Sequence, residues 1–375
     1  MNDPTDFFVH FSVIDDPRGE RGKTHLLYEI LFIATCTMAC GGDGFTDMEM
    51  FGHAKEDWLR KYLKLPGGIP SHDTFGRVFS IIDPQAFGEC FVNWTGALHV
   101  ATKGEVIALD GKTIRHSFDT ATGKNALHLV SAWASENGLA LGHVRVDDKS
   151  NEIKAIPKLL EMIDVSERII TTDAMGCQKD IAKKIVEKKG DYVFCLKGNH
   201  ENLHEEVKYF FDEAKAANFE DVEHSYFESV EKDHGRIEIR RAWVVEDDAI
   251  RWLEKEDQWS GLKSIAAIES ERRIGGKTTV ETRYFISSLA GRAAKLASAT
   301  REHWGIENSL HYVLDVTLNE DASRIRKDNA PENLATLRKI VINLIKKQKN
   351  SKTSIRSRLK KAAWDNSYLE TLLVS

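Results

Sequence analysis

The stretch EVIALDGKTIRHS, residues Glu105–Ser117, marks where the chain changes from helical to strand-like patterns. Four apolar residues, Val106–Leu109, form the continuous run that a buried strand needs. Asp110 and Gly111 follow, so a carboxylate lies where we expect the strand to leave the core. Such a carboxylate can bind a cation without being stranded among apolar side chains. Asp-Gly after a strand is also a common hairpin signal, so a simple turn is the alternative.

A second carboxylate follows a later predicted strand. Downstream of Glu105–Ser117, strand-like apolar runs alternate with amphipathic patterns of period 3.6. These patterns predict the strands Ala126–Ala134 and Leu139–Val146, the helix Asn151–Ile163, the strand Arg168–Thr172, the helix Cys177–Lys189 and the strand Asp191–Lys197. Asp173 comes directly after Arg168–Thr172. Because these strands can be neighbours in a mixed sheet, we expect Asp110 and Asp173 at the same sheet edge.

The segments on either side of this region have different patterns. Before it, breaks at proline and glycine separate the predicted helices Leu26–Cys40, Thr46–Leu65, Ser71–Ile82 and Pro84–Val100. After it comes an acidic helix, His200–Ala217, and then the strand-like runs Ile237–Val245, Leu262–Ser270 and Val280–Leu289. We interpret the first segment as an N-terminal helical domain and the second as a β-containing insertion.

A further helical pattern, Ser298–Leu318, carries polar residues at intervals of four. Residues four apart lie on roughly one face of an α-helix. This stripe consists of His303, Glu307, His311 and Asp315. A polar stripe is usually the solvent face of a helix, but two histidines and two acids also suit the third wall of a metal site. Zinc fits less well, because the two histidines are eight residues apart.

The composition predicts a protein of two or three domains. With 375 residues, 42% of them hydrophobic, the chain can bury a large core. The sequence has no run of 18 apolar residues and no signal-peptide pattern. Its five cysteines lack the spacing of a zinc finger. We therefore expect a soluble cytoplasmic protein that does not contact a membrane.

Charge is unevenly distributed along the chain. The net charge of −6 argues mildly against a nucleic-acid partner, since phosphate binding needs Lys and Arg. Residues 198–260 hold 18 acidic and 8 basic residues, however, whereas residues 333–363 hold 10 Lys or Arg and no Asp or Glu. We therefore predict that residues 333–375 form a basic C-terminal tail that grips DNA phosphates, although lone basic runs are usually solvated faces.

Longer motifs help to decide whether the carboxylates form a site and whether the basic residues contact DNA. They are IPSHDTFGRVF (69–79), VIALDGKTIRHS (106–117), IITTDAMGCQKDIAKKI (169–185), HGRIEIR (234–240) and REHWGIENSLHYVLDVTLNEDASRIR (301–326). The last four resemble the H-repeat-associated branch of the DDE insertion-sequence transposases, and the first resembles the N-terminal domain associated with that branch. The resemblance covers roughly residues 10–350. It implies an α/β fold, with an RNase H-like mixed-sheet core, a β-rich insertion and an N-terminal helical domain.

The resemblance also implies a catalytic triad that binds Mg²⁺, with Mn²⁺ as a substitute. By motif, its members are Asp110, Asp173 and Glu307, as both catalytic residues and metal ligands. The insertion accounts for the large separation between the last two (307 − 173 = 134 residues). The broader family often has Tyr, Arg and Lys around the glutamate, where this chain has Thr300, His303 and Leu314. These differences put in doubt the phosphate contacts usually assigned to that Tyr, Arg and Lys.

Carboxylates in such a set suit phosphodiester chemistry. Cleavage requires an activated water or 3′-hydroxyl and stabilisation of charge on the leaving oxygen. Two Mg²⁺ ions about 3.5–4 Å apart supply both, and they prefer oxygen ligands. We expect Asp110 to bridge the two ions, Asp173 to complete one site and Glu307 to complete the other. Without metal, three crowded carboxylates would raise the pKa of at least one of them.

Basic residues near these motifs are predicted DNA contacts, with ordinary surface residues as the alternative for several of them. The candidates are Lys112, Arg115, Lys197, Arg236, Arg240, His303, Arg324, Arg326 and Lys327, together with His234. We divide the chain into four segments: the N-terminal helical transposase-associated domain (1–100), the catalytic core (101–197 plus 296–350), the β-containing insertion (198–295) and the basic tail (333–375).

The expected function is therefore Mg²⁺-dependent DNA cleavage and 3′-OH strand transfer at the ends of an insertion sequence. The expected partner is double-stranded DNA, both element ends and target, bound by a homodimer that associates with the nucleoid. Two alternatives remain: a catalytically inactive DNA-binding relic of a transposase, and a metal-dependent nuclease without strand transfer.

Overall fold

A computed structural model describes residues 10–19, 23–120, 122–147, 150–233, 235–246, 250, 253, 259–348 and 353–374. The chain divides into two compact units. The first unit comprises Met1–Val100, Gly111–Ser150 and Glu307–Ser375, and the second comprises Ala101–Asp110 and Asn151–Ile306. The N-terminal segment thus belongs to a larger unit that also contains the C-terminal helices.

The N-terminal part of the first unit is helical, as predicted. Its helices are α1 (Leu27–Ala39), α2 (Phe45–Ala54), α3 (Glu56–Leu59), α4 (His72–Ile81) and α5 (Pro84–Leu98). Side chains cap two of them: the Ser71 hydroxyl accepts a hydrogen bond from the Thr74 N–H at α4, and the Asp83 carboxylate caps α5. The prediction of one helix over Thr46–Leu65 was wrong, because the chain breaks between α2 and α3 at Lys55.

Strands and helices then alternate in an order close to the prediction. In chain order they are β1 (Val106–Thr113), β2 (His128–Ala134), β3 (Leu139–Arg145), α6 (Glu152–Met162), β4 (Ile169–Thr172), α7 (Lys179–Glu187), β5 (Asp191–Leu196), α8 (Glu201–Ala216), β6 (Ser225–Asp233), β7 (Arg236–Glu246), β8 (Ser264–Ile274), β9 (Lys277–Ser287), α9 (Ala293–His303), α10 (Ala330–Lys347), α11 (Ile355–Trp364) and α12 (Asn366–Val374). Two π-helical turns, Glu307–His311 and Val313–Thr317, lie between α9 and α10.

The strands form one mixed sheet, in the order β3-β2-β1-β4-β5-β9-β8-β7-β6. Strands β1, β4 and β5 are parallel, whereas β2–β3 and the pairs from β5 through β9 to β6 are antiparallel. The predicted α/β class, a mixed-sheet core with a β-rich insertion and a helical N-terminal part, is confirmed. Within the second unit, the insertion continues the sheet from β5 through β9.

Strand β6 is absent from the predicted elements. Its residues alternate between half-buried and exposed along the whole length, and charged side chains occupy several positions. Such a sequence, SYFESVEKD, has too few apolar residues for periodicity to reveal it. Pairing with β7 over nine residue pairs, from Ser225 to Asp233, makes it the edge strand of the sheet.

The predicted basic C-terminal tail was wrong over residues 333–345. These residues belong to α10, which is buried from Asn333 to Ile345 and packs on α1, α4, α5 and β3 of the first unit. Arg338 and Lys339 are only 2% and 1% exposed, so they lie in the protein interior and cannot reach DNA. Neither α10 nor any other helix in the described part of the chain is long and apolar enough to cross a membrane.

Candidate active site

Two aspartates lie side by side at one edge of the second unit's sheet. Leu109 of β1 pairs with Thr172 of the parallel strand β4, so Asp110 and Asp173 come next along two adjacent strands. Neighbouring strands are about 4.8 Å apart, which brings both carboxylates within reach of a common ligand. The predicted placement at one sheet edge is confirmed.

The local setting of Asp110 differs from the prediction. Strand β1 does not end there but continues through Gly111 to Thr113. The alternative of an Asp-Gly hairpin turn was therefore wrong. A half-buried carboxylate inside a strand has its backbone fixed by the sheet, and this limits the positions that its oxygens can take.

Asp173 lies in a tightly held loop. Its Oδ1 accepts a hydrogen bond of 3.2 Å from the Gly176 N–H. Gly176 is buried, and a Cβ at this position would lie 2.6 Å from the Cβ of Thr172, so a larger residue would force the loop away. The Asn199 side chain also donates a hydrogen bond to the carbonyl of Ala174 at 2.7 Å. The loop holds Asp173 beside the end of β4.

Burial and nearby charges determine the ionisation of Asp173. Burial raises the pKa of this carboxyl, and the negative charge of Glu152 raises it further. The Gly176 N–H and the positive charge of Lys197 oppose this rise. A bound cation would favour the ionised form instead. The carboxylates at this edge therefore suit a divalent metal ion with oxygen ligands.

Glu307 lies in a part of the chain that differs from the predicted long helix. Helix α9 ends at His303, and Glu307 is the exposed first residue of a π-helical turn in the first unit. The prediction of one α-helix over Ser298–Leu318 was wrong, and its stripe of residues four apart does not follow α-helical spacing. Among the described residues, no group of three or more His, Cys, Asp or Glu is arranged to hold a metal ion. The role of Glu307 remains a prediction.

Lys112 is enclosed by carboxylates of the first unit. Its Nζ lies 2.7 Å from Asp315, 2.9 Å from Glu320 and 3.3 Å from Asp321, and its side chain is only 10% exposed. An ammonium group has three donors, and all three face protein oxygens here. No donor of Lys112 is left for a phosphate, which counts against its prediction as a DNA contact. Nothing in the sequence pattern around it indicated these partners.

The other predicted DNA contacts fall into two groups and remain predictions. Lys197, Arg324 and Lys327 are exposed, as is the Arg115 side chain, which pairs with Asp321. The remaining cations are engaged with protein groups: Arg236 with Glu238, Arg240 with Glu231 and Glu238, and Arg326 with the carbonyl of His116 and the ring of Phe118. His234 lies outside the described residues.

His303 is largely buried in the second unit. Its Nδ1 lies 3.0 Å from the Thr171 hydroxyl of β4. Burial lowers the pKa of His303 to about 4, and the positive charge of Arg283 adds to this effect. The ring is therefore neutral near pH 7. A neutral ring can accept or donate a hydrogen bond, but it cannot attract a phosphate as a cation does.

The depressed pKa of His303 predicts a pH-dependent stability. An unfolded histidine takes up a proton near pH 6.5, whereas the folded ring takes it up only near pH 4. The contribution of the neutral His303 ring to the free energy of unfolding is therefore fully present above pH 6.5. It is lost as the pH falls toward 4, and the loss amounts to at most about 3 kcal/mol. Urea unfolding between pH 4 and 7 should show a shallower pH dependence for His303→Asn than for wild type.

The control for this experiment is His53→Asn, because His53 is exposed in the first unit. This variant should keep the pH dependence of the wild type. Equal pH dependence of His303→Asn and wild type would contradict the buried, neutral state of His303.

A mixed sheet with Asp110 in β1 and Asp173 directly after the adjacent parallel strand β4 defines an α/β protein with an acidic site. The chain belongs to the transposase DDE domain family: the model described as "Transposase DDE domain" matches residues 101–344. The model described as "DDE_Tnp_1-associated" matches residues 8–95. The resemblance stated from the motifs is confirmed.

Relatives match nearly the whole chain. "Putative transposase YncI" of Escherichia coli O157:H7 is 43% identical over 98% of this chain and 94% of its own length. "H repeat-associated putative transposase YhhI" of Escherichia coli strain K12 is 42% identical over 97% of this chain and 96% of its own length. Among solved structures, a piggyBac transposase synaptic complex with hairpin DNA matches at 12% identity and a TM-score of 0.43. That match covers 96% of this chain and 76% of the other.

Proposed function

We propose that this transposase cuts DNA at the ends of an insertion sequence and joins the resulting 3′-OH to a target, with Mg²⁺ as the metal. The observation that supports this most is the pairing of Leu109 with Thr172, which brings Asp110 and Asp173 to one sheet edge. Family membership supports the class of reaction.

We assign the metal to Asp110 and Asp173, with Glu307 as the third ligand by its motif. Bound divalent ions would supply an activated nucleophile and stabilise charge on the leaving oxygen. The protein supplies position: the sheet fixes Asp110, and the loop held by Gly176 fixes Asp173. Both groups are hard oxygen donors, so Mg²⁺ or Mn²⁺ fits them better than a soft metal does.

For DNA, we propose contacts by the exposed cations Lys197, Arg324 and Lys327. Lys197 is also the cation whose charge acts on Asp173, so it belongs to the surroundings of the acidic edge. Contacts to phosphates carry no sequence information, so these residues would position the duplex rather than select its sequence. We propose that a homodimer holds the paired ends and associates with the nucleoid in the cytoplasm.

Metal calorimetry tests the site. Protein with a short duplex is titrated with Mn²⁺ or Mg²⁺, and wild type is compared with Asp173→Asn. We expect uptake by the wild type and its loss in the variant, because an amide lacks the negative charge that holds the ion. Asp180→Asn is the control, since Asp180 is an exposed residue in the first turn of α7.

The outcomes separate the alternatives. Metal uptake that Asp173→Asn abolishes would support the assignment, and uptake unaffected by that change would contradict it. DNA binding by a wild type that takes up no metal would indicate an inactive relic. A product assay with labelled ends then separates joined products from simple cuts, which alone would indicate a nuclease.

A further inference from the structure

The first unit contains a buried cluster of charges that the proposed chemistry does not use. We name it the Lys112 cluster, and its members are Lys112, Asp315, Glu320, Asp321 and Arg338. Glu320 is 1% exposed and lies between two cations, with Lys112 Nζ at 2.9 Å and Arg338 Nη1 at 3.7 Å. Asp315 and Asp321 complete the shell around the ammonium.

Burying such a cluster of charges adds little to the stability of the protein. Each buried charge loses its hydration, and apolar residues of similar volume often stabilise a protein as well or better. An ionic cluster does, however, accept only an arrangement in which each charge meets its partner. The three donors of a lysine ammonium suit three separate carboxylates. The Lys112 cluster therefore fixes one relative position of the segments that it joins.

The joined segments are those that carry two of the proposed metal ligands. Lys112 lies two residues after Asp110 in β1, and residues two apart in a strand have side chains on the same face. Its carboxylate partners lie between 315 and 321, within and after the second π-helical turn, Val313–Thr317, which follows the turn that begins at Glu307. We infer that Lys112 is a positioning residue, which sets the place of the Glu307–Thr317 segment against residues 111–113 of the same unit.

This inference rests on the proposed function, and it gives the Lys112 cluster a role in catalysis. If the segment can shift along β1, Glu307 no longer meets the reacting phosphate in the right place. A misplacement of about 1 Å can lower a rate by about a hundredfold. DNA affinity should change little, because Lys112 faces carboxylates rather than solvent.

The test compares Lys112→Met with wild type. Methionine keeps most of the side-chain volume and removes the charge. We expect the rate of strand cleavage at saturating DNA to fall by about a hundredfold and the Kd for DNA to stay within about threefold. Lys103→Met is the matched control, since Lys103 is an exposed lysine of the second unit paired with Glu167, and it should retain full rate and affinity.

Amide hydrogen exchange provides a readout that does not depend on activity. In Lys112→Met, exchange should accelerate by about tenfold or more across 307–317, while α1 and α5 remain protected. If Lys112→Met fails to fold, Asp321→Asn takes its place, because Asp321 is the most distant of the three carboxylates and is only partly buried. The same local acceleration is expected from this variant.

Three results would overturn the inference. Weaker DNA binding with an unchanged rate at saturation would make Lys112 a phosphate contact. An unchanged rate and unchanged exchange would show that the Lys112 cluster positions nothing. Acceleration spread evenly over the first unit would show a general loss of stability. If the wild type itself cleaves no DNA, the proposed function fails, but the exchange pattern still decides whether Lys112 holds the segment.

Discussion

Replacing Asp110 with asparagine is expected to lower Mg²⁺-dependent strand cleavage by about a thousandfold or more. The amide has nearly the same shape as the carboxylate, so β1 and its pairing with β4 should persist. The amide lacks the negative charge that, in the proposed site, would hold the ion and balance the charge of the transition state. The measurement is the initial rate of cleavage of a labelled duplex at saturating Mg²⁺.

The control for this substitution is Asp180→Asn, an equivalent change on the exposed first turn of α7. Its cleavage rate should stay within about twofold of the wild type, because the residue lies away from the paired strands. DNA affinity of Asp110→Asn should also be preserved. If Asp110→Asn cleaved DNA at the wild-type rate, Asp110 would not be a metal ligand.

Replacing Glu320 with glutamine is expected to lower the free energy of unfolding by about 3 kcal/mol. The side chain is 1% exposed, and it is the carboxylate that faces both Lys112 and Arg338. Removing its charge leaves Arg338, which is 2% exposed, as a buried cation without this partner. Asp315 and Asp321 still face Lys112, which places the effect at the low end for a broken buried pair.

The pKa of Glu320 gives this prediction a pH dependence. Burial opposes ionisation, but the charges of Lys112 and Arg338 outweigh it and hold the pKa of the carboxyl below 4.5. The stabilisation is therefore present above pH 4.5 and is lost as the pH falls through the lowered pKa. The difference between wild type and Glu320→Gln should shrink over that range.

Urea unfolding of wild type and Glu320→Gln measures this difference. Glu89→Gln is the control, because Glu89 is an exposed glutamate of the same unit and should change stability by no more than about 0.5 kcal/mol. A loss of less than 0.5 kcal/mol in Glu320→Gln would mean that the Lys112 cluster does not stabilise the first unit.

Local patterns in the sequence determined much of this protein. Short runs of apolar or β-branched residues predicted β1, β4 and β5, and Asp173 directly follows β4. Breaks at proline and glycine located three of the four predicted N-terminal helices within a few residues. Long motifs identified the family, because they combine residue types and spacing over many positions. Each of these features depends on residues that are close together in the sequence.

Only the tertiary structure decided which residues meet across long separations. Pairing of β1 with β4 placed Asp110 beside Asp173, 63 residues further on (173 − 110). The basic residues after Asn333 predicted a tail, whereas the structure shows residues 333–345 buried in helix α10. Lys112 resembles a surface cation until Asp315, Glu320 and Asp321 are seen around it. Burial and ion pairing depend on contacts between distant segments, and local periodicity contains no information about them.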